Sequence, residues 1–408
     1  MPEEKNIGCM TSRPYHLENT VQHYNWGTRD QNAYIAGLLG LDPEQGQPYA
    51  ELWMGVHPKA PSSIIDLEQG SLSLSSWISE NPEQRLALNE MHTVLPYLFK
   101  VLSAGEALSI QAHPNKQQAE KLHKIDPQHY PDDNHKPEIA IALDHLDALL
   151  GFISNTDYVR LLETCPELKS LLMRNAETSP KLKEGVKRLF QLWNNDGASI
   201  SNTNKLIQQR LKAKTDISET DQLFLELFDT HGPEDIGLLF IFFLNRIHLE
   251  PKECVFLAPG VPHAYLKGNI IECMANSDNV VRLGLTNKFC DAKALQDILV
   301  YDESADYGII PTKRGYVSEY NSPTKEFRVK SLNLPEGECE LFTSRTSLTM
   351  FLMIEGEMSL HWEGNKNSCT CVFKRGHSFI TPANLSEFKI RARHDSKLFF
   401  VEIPEKEN

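Results

Sequence analysis

The chain has 408 residues, of which 40% are hydrophobic and 24% charged, and its formal net charge is −14. This length exceeds what one hydrophobic core usually holds and the composition is that of a folded protein, so we expect two or three domains and exclude a disordered chain. The negative charge excludes nucleic acid and anionic membranes as main partners, because both would be repelled at long range.

The first fifteen residues lack the apolar run of a secretory signal, and no later stretch is long and apolar enough for a membrane span. We therefore expect a cytoplasmic protein. The eight cysteines are scattered without a Cys-x-x-Cys motif, so neither a disulfide framework nor a thiolate zinc site is predicted. Any metal must use nitrogen and oxygen ligands.

The first 150 residues alternate strand-like runs with turns. The apolar run Pro96–Leu102 and the segment Ala107–Ala112 flank Ala104-Gly105, a pattern that predicts a β-hairpin. In an extended strand Gln111 and His113 leave the same face, so together they can bind one ion. The plainer interpretation of a lone Gln-x-His is a half-exposed strand, and other segments must decide between the two.

A helix and a second polar cluster follow this strand. Asn115–His123 has the composition of a short polar helix after Pro114. A turn-rich loop then leads into His135–Glu138 and the alternating run Ile139–Leu143, which predicts a strand.

Residues 153–250 change character. Leucines and aromatic residues recur at three-and-four spacing from Val159 onward, which predicts four to six amphipathic helices with these stripes facing the core. Gly232-Pro233 is expected to open a last, nearly all-apolar helix that runs to Leu244. We interpret this block as a helical domain inserted into a β framework.

From residue 253 the strand-and-turn pattern returns. It places His263, Tyr265, Glu272 and Arg282 on strands or at their starts. Residues 325–403 continue the pattern, and we interpret them as a separate, smaller barrel or sandwich.

Four nitrogen or oxygen donors stand out along the chain: Gln111, His113, Glu138 and His263. They match the four-coordinate count of zinc, although glutamine is an uncommon zinc ligand. One carboxylate and three neutral donors would leave a divalent ion with a net positive charge, able to polarise a bound oxygen. Because structural zinc sites more commonly use thiolates, this set favours a catalytic or substrate-binding ion.

Basic residues accompany these segments: Lys100, Lys136, Arg282 and Lys288. In an acidic protein, this clustering suggests an anionic substrate such as a phosphorylated metabolite. The alternative is a set of solvated surface residues, which weighs most for Lys288, because a lysine after a strand is mostly exposed. Glu272 either points outward or is a buried carboxylate with a raised pKa and a role in proton transfer.

Several motifs resemble the type I mannose-6-phosphate isomerases, in the same order over roughly residues 17–290. They are Tyr24–Gly27, Ala50–Pro58, Ile110–Pro114, Asn134–Glu138, and Pro262–Leu266 with Asp278–Lys288. That family combines a zinc-dependent catalytic cupin barrel, an inserted helical domain and a second, metal-free cupin. We therefore expect a mainly β fold with an inserted α domain: two cupin-type (jelly-roll) β-barrels plus a helical domain. The catalytic cupin would comprise residues 1–152 and 250–324, the helical domain 153–249, and the C-terminal cupin-like domain 325–408.

The resemblance also implies an activity and its residues. The activity is the zinc-dependent interconversion of mannose 6-phosphate and fructose 6-phosphate, by proton transfer between C1 and C2 through an enediolate, in mannose and GDP-mannose metabolism. One zinc ion per chain would lie on Gln111, His113, Glu138 and His263, with Arg282 as a catalytic arginine. The pocket would be lined by His135, Lys136, Glu272, Tyr265 and Asp278. Ser109 and Lys100 are similar to positions near the substrate phosphate. Lys288, from the basic cluster, is also expected to bind the substrate.

Some roles stay open on the sequence alone. The base is either Lys136 or Glu272, and Arg282 either stabilises developing negative charge or holds the phosphate, while His135 is a candidate for opening the sugar ring. Two rival functions are a cupin that senses a sugar phosphate without turnover and a metal-dependent oxygenase. The oxygenase is disfavoured, because redox iron sites commonly use two histidines and one carboxylate and need no basic cluster. We expect a monomer.

Overall fold

In a computed structural model, the protein is described over residues 12–66, 70–86, 94–173, 181–303, 306–343, 347–364 and 367–404. The expectation about a secretory signal concerns residues 1–15, of which the first 11 lie outside these ranges. Within the described ranges, no helix has the length and apolar character needed to cross a membrane.

The described residues form mainly β-sheet with several helices, as expected in outline. The strands are β1 (Tyr15–Glu18), β2 (Thr20–Gln22), β3 (Thr28–Arg29), β4 (Pro48–Tyr49), β5 (Glu51–Gly55), β6 (Ser63–Asp66), β7 (Gly70–Ser73), β8 (Tyr97–Ala104), β9 (Ile110–Ala112), β10 (Glu138–Ala142), β11 (Leu146–Phe152), β12 (Leu244–Leu249), β13 (Cys254–Leu257), β14 (His263–Ala275), β15 (Val281–Gly284), β16 (Thr312–Arg314), β17 (Val317–Tyr320), β18 (Arg328–Leu334), β19 (Cys339–Phe342), β20 (Thr349–Glu355), β21 (Glu357–Glu363), β22 (Ser368–Lys374), β23 (Ser378–Thr381), β24 (Phe388–Ala392) and β25 (Ser396–Glu402). The helices are α1 (Tyr34–Leu39), α2 (Leu74–Glu80), α3 (Pro82–Arg85), α4 (Lys116–Ile125), α5 (Asn155–Thr164), α6 (Pro166–Leu172), α7 (Leu182–Asn195), α8 (Gly197–Lys212), α9 (Glu219–His231), α10 (Gly237–Phe240) and α11 (Ala292–Ile298), with 3-10 turns at Asp30–Asn32 and Ile241–Phe243.

The chain folds as two compact units. The first comprises Met1–His23, Arg29–Val101 and Ile309–Asn408, and the second comprises Tyr24–Thr28 and Leu102–Gly308. The three-domain division drawn from the sequence stays a prediction.

The first unit contains a nine-stranded antiparallel sheet in the order β16-β17-β18-β25-β20-β23-β1-β6-β7, counted over the described residues. The N-terminal strand β1 therefore continues a sheet built from C-terminal strands, with His16 opposite Phe379. A second sheet has the order β19-β24-β21-β22. Stacked phenylalanines lie in the hydrophobic core of this unit, where the ring centroids of Phe351 and Phe379 are 4.5 Å apart.

The second unit is organised around β14. Its first half pairs with β11, and its second half pairs with β10, which in turn pairs with β13. Gly268 lies at the change of partner with φ +132°, where an added Cβ would meet the carbonyl oxygen of His145 at 2.4 Å. Only glycine fits such a bend. Strand β14 therefore pairs with segments that carry several of the predicted site residues.

The predicted hairpin between Pro96–Leu102 and Ala107–Ala112 is wrong. The strand β9 pairs with β14 and β15, placing Gln111 opposite both His263 and Arg282. The chain turns away after β8, because the N–H of Gly105 donates to the carbonyl of Trp26 and that of Leu108 to the carbonyl of Tyr265. These long-range pairings leave no trace in the local sequence pattern.

The helical block agrees with the prediction in most respects. Six α-helices lie between Asn155 and Phe240 in the described part of the block, and their apolar stripes form one buried cluster. Val159, which the spacing assigns to that stripe, is instead 44% exposed. The short helix α4 begins at Lys116, capped by the side chain of Asn115.

The last helix of the block differs from its prediction. Helix α10 begins at Gly237 and has one turn, a 3-10 turn follows, and Leu244 already starts strand β12. The Asp235 side chain accepts the N–H groups of Gly237 and Leu285, which holds residues 233–236 in a turn. Apolar composition indicated burial correctly, but it did not distinguish a helix from a turn and a strand.

Candidate metal centre

Three side chains from three distant segments meet in the second unit. His113 follows strand β9, Glu138 begins β10 and His263 begins β14, and each is at most 2% exposed. Each offers a ligand atom, and these atoms all lie within 4.8 Å of one another. The fold assembles this group, because strand β14 pairs with both β9 and β10.

Backbone carbonyls fix the protonation of both histidines. Nδ1 of His113 lies 2.9 Å from the carbonyl oxygen of Asn279, and Nδ1 of His263 lies 3.0 Å from that of Val261. A carbonyl oxygen only accepts, so each Nδ1 carries the proton and each Nε2 keeps its lone pair. A metal-bound histidine usually donates its other ring N–H to a partner such as a backbone carbonyl.

The two lone pairs face a carboxylate oxygen. The Nε2 atoms of His113 and His263 lie 3.2 and 3.4 Å from Oε2 of Glu138. Among the residues that the structure describes, Nε2 of His113 and Oε2 of Glu138 are buried without a hydrogen-bond partner. Such converging acceptors are the arrangement that a bound cation would satisfy. Ligand atoms on a tetrahedral zinc ion with bonds of about 2.0–2.1 Å lie about 3.3–3.4 Å apart, so the geometry fits zinc.

Gln111 lies beside this group. Its side-chain Nε2 lies 3.5 Å from Nε2 of His263. Since the amide oxygen and nitrogen exchange places by a half-turn of the amide group, the same position presents Oε1 to an ion. Gln111 is the only one of the four donors that is half-buried rather than buried.

Lys136 contacts the other oxygen of the shared carboxylate. Its Nζ lies 3.2 Å from Oε1 of Glu138, and it is 8% exposed. Burial alone would raise the pKa of Glu138, but the charge of Lys136 and the contacts with His113 hold that pKa well below its usual range. Burial also lowers the pKa of His113 to about 4. Both groups are therefore in the metal-binding protonation state at neutral pH.

A second pair of buried polar groups lies on β14. The hydroxyl of Tyr265 donates to Oε1 of Glu272 at 3.1 Å, and both side chains are buried. Glu272 thus points inward, as one of the two sequence interpretations required. Burial is the main cause that raises the pKa of Tyr265 well above its usual value, and the charge of Glu272 adds to it. The phenol therefore stays protonated. The raised pKa suggested for Glu272 stays a prediction.

The other predicted site residues of the second unit are half-buried or exposed. Arg282 is half-buried on β15 opposite Gln111, and burial lowers the pKa of its guanidinium. Lys288 is exposed, with Nζ 5.9 Å from the ring centroid of Tyr24. Half-buried positions on the loops before β9, β10 and β15 are occupied by Ser109, His135 and Asp278.

Lys100 belongs to the first compact unit. It is buried, with Nζ 3.7 Å from Oε2 of Glu51 and 5.4 Å from the ring centroid of Trp53. The sequence interpretation missed Glu51 as its partner, and it also missed Asn279, whose contact with His113 is made by a backbone atom. No side-chain pattern announces such a contact.

Comparison with known proteins gives consistent results. Residues 15–154 match the family model described as "Phosphomannose isomerase type I, catalytic domain". The chain is 38% identical to mannose-6-phosphate isomerase of Homo sapiens over 372 residues, covering 84% of this chain and 88% of that one. It is 34% identical to mannose-6-phosphate isomerase 1 of Arabidopsis thaliana, with 97% and 95% covered.

Solved structures agree. A zinc-bound holo structure of mannose 6-phosphate isomerase superposes with a TM-score of 0.85 at 30% identity, covering 96% of this chain and all of that one (100%). A mutant of phosphomannose isomerase from Salmonella typhimurium gives the same TM-score of 0.85 at 30% identity, with 96% and 99% covered.

Proposed function

The chain belongs to the type I phosphomannose isomerase family, and we propose that Gln111, His113, Glu138 and His263 hold its zinc ion. The protein is a zinc-dependent isomerase that interconverts mannose 6-phosphate and fructose 6-phosphate. The observation that carries the ligand assignment is the convergence of two histidine lone pairs and one carboxylate oxygen in a buried space. When bound, the ion supplies Lewis-acid stabilisation of the negative charge that develops on the sugar oxygens.

The chain's own residues must then move one proton between C2 and C1. The base is one of two buried groups beside the ligands, Lys136 or Glu272. Lys136 contacts Glu138 directly, whereas Glu272 receives a hydrogen bond from Tyr265 and sits on β14 opposite Ala140, two residues from Glu138. The burial of both residues close to the proposed ligands supports either of them as the proton acceptor.

Arg282 stabilises the enediolate or the phosphate. Its backbone pairs with that of Gln111, so Arg282 lies on a strand next to the one that carries a proposed ligand, which supports this role. A half-buried arginine keeps its charge at any working pH and offers planar donors to two oxygens at once. His135 opens the sugar ring, and the residues of the second unit that contact the substrate are Ser109, Tyr265, Asp278 and Lys288.

The test is isomerisation in heavy water. Metal-loaded protein converting mannose 6-phosphate should deliver deuterium to carbon-bound positions C1 or C2, because the base exchanges its proton with solvent. The variants Lys136→Met and Glu272→Gln identify the base. The variant that abolishes deuterium exchange is the one that lacks the base. Binding of the sugar phosphate without any turnover or exchange would contradict the isomerase and indicate a sensor.

The architecture and setting complete the proposal. A catalytic cupin (1–152 and 250–324), a helical insertion (153–249) and a metal-free cupin-like domain (325–408) accord with the sheet-rich fold. The protein is a cytoplasmic monomer in this proposal, and its net charge of −14 opposes binding to nucleic acid and to anionic membranes. Light scattering of the purified protein tests the monomer directly.

A further inference from the structure

The loop before Lys136 contains a carboxylate that joins two segments of the second unit. Asp132 accepts four hydrogen bonds. Its Oδ1 accepts from the hydroxyl of Ser277 at 2.8 Å, from Nδ2 of Asn279 at 3.0 Å and from the N–H of Asn134 at 2.9 Å. Its Oδ2 accepts from the N–H of Asp278 at 2.7 Å. The loop that leads to Glu138 is thereby tied to the loop that leads to Arg282.

Asn279 is the link from this network to the metal centre. It is fully buried, and its Nδ2 also donates to the carbonyl oxygens of Asp132 and Asn134, at 2.7 and 2.9 Å. Its own carbonyl oxygen accepts the Nδ1 proton of His113. The orientation of the His113 ring therefore depends on a backbone group whose residue is held by Asp132.

We propose that Asp132 is a positioning residue for the metal centre, acting through Asn279 on His113. This inference rests on the proposed ligand set and adds a residue that touches neither the ion nor the substrate. Outer partners of this kind fix the ring orientation and the tautomer of a ligand histidine. Asp132 serves both sides of the centre, since its own loop continues directly into Lys136 and Glu138.

A carboxylate is required at this position. All four partners of Asp132 are donors, so both of its oxygens must accept. Asparagine would replace one oxygen by an NH2 group that faces a donor. The consequence is a loss of at least one hydrogen bond and a displacement of the Asn279 carbonyl, with little change in side-chain volume.

The test measures zinc affinity and stability separately, on the full chain. The dissociation constant for Zn²⁺ is measured by competition with a chromophoric chelator, and Tm is measured on the metal-free protein. Asp132→Asn should weaken zinc binding roughly tenfold, the lower end of the range of about 10–100-fold for outer partners of metal ligands. Ser277→Ala, which removes one donor to Asp132, should weaken it in the same direction by a smaller factor.

Asp144→Asn is the matched control. Asp144 is also half-buried in this unit and also accepts the backbone N–H and the Nδ2 of an asparagine, Asn269. This variant should lower Tm while leaving the zinc dissociation constant unchanged. Equal zinc affinities of Asp132→Asn and Asp144→Asn would overturn the inference, and so would an unchanged affinity in Ser277→Ala if Asp132→Asn fails to fold. Failure of the wild-type protein to bind zinc would overturn the proposed ligand set itself.

Discussion

Replacing Lys136 by methionine should lower the stability of the metal-free protein more than that of the zinc-loaded protein. Its Nζ lies 3.2 Å from Oε1 of Glu138, and the two side chains are 10% and 2% exposed. Lys136→Met keeps most of the aliphatic stem and deletes the charge. In the metal-free protein this removes the only cation that the described residues place against Glu138, whereas in the zinc-loaded protein the ion still compensates its charge. The loss of stability should therefore depend on zinc.

The size of the effect follows from the geometry. At 3.2 Å and an effective dielectric constant of about 20, two unit charges attract by about 5 kcal/mol. Removing one partner of a buried pair typically costs about 3–5 kcal/mol. For a unit of this size, each kcal/mol corresponds to about 2–4 °C, so Tm of the metal-free variant should fall by roughly 6–20 °C. The zinc-loaded variant should lose less than half as much.

Differential scanning calorimetry of both forms, with and without zinc, measures these shifts. Lys116→Met provides the control, because Lys116 pairs with Asp133 at 3.1 Å but both side chains are exposed, at 47% and 62%. Its Tm should stay nearly unchanged, since exposed pairs contribute about 0–1 kcal/mol. An equal shift of Tm in both forms of Lys136→Met would show that Lys136 does not compensate the charge of Glu138.

Three further predictions concern pH, the arginine and backbone packing. Burial lowers the pKa of His113 from 6.5 to about 4, so between these pH values the unfolded chain binds a proton that the folded metal-free protein does not. The free energy of unfolding should thus fall as pH is lowered through this window, and urea midpoints should show a smaller fall in His113→Gln. Arg282→Met should reduce kcat by about 10²–10³-fold while leaving the zinc dissociation constant unchanged; a parallel loss of zinc would contradict a role toward the substrate. Gly284→Ala should cost about 1–3 kcal/mol, because its Cβ would meet the backbone nitrogen of Gly237 at 2.4 Å, whereas Gly197→Ala, with open space around it, should not destabilise the protein.

Local sequence patterns predicted the elements that depend on local interactions. The polar segment Asn115–His123 was predicted to be a helix, and α4 spans Lys116–Ile125. The strand after Glu138 was also recognised, because alternation and β-branched residues are properties of the segment itself. The same is true of the helical block, whose apolar spacing reports burial.

Pairing between distant strands was not predictable in this way. Gln111 lies opposite His263 and Arg282 because β9 joins β14 and β15, yet the sequence around Gly105 indicates a hairpin with β8. Strand alternation suggested the pair Gln111 and His113, whereas the full ligand set came from donor chemistry and from the resemblance. Contacts made by backbone atoms, such as the Asn279 carbonyl on His113, leave no residue-type signal at all.

The central claim is that one metal ion on His113, Glu138, His263 and Gln111 serves the isomerisation. Titration of the chelator-stripped protein with Zn²⁺, with mannose 6-phosphate turnover measured at each addition, tests it most directly. We expect no activity without metal, a linear return that ends at one zinc ion per chain, and no return at stoichiometric zinc in Glu138→Gln. Full turnover after complete removal of metal, or an unchanged titration in Glu138→Gln, would contradict it.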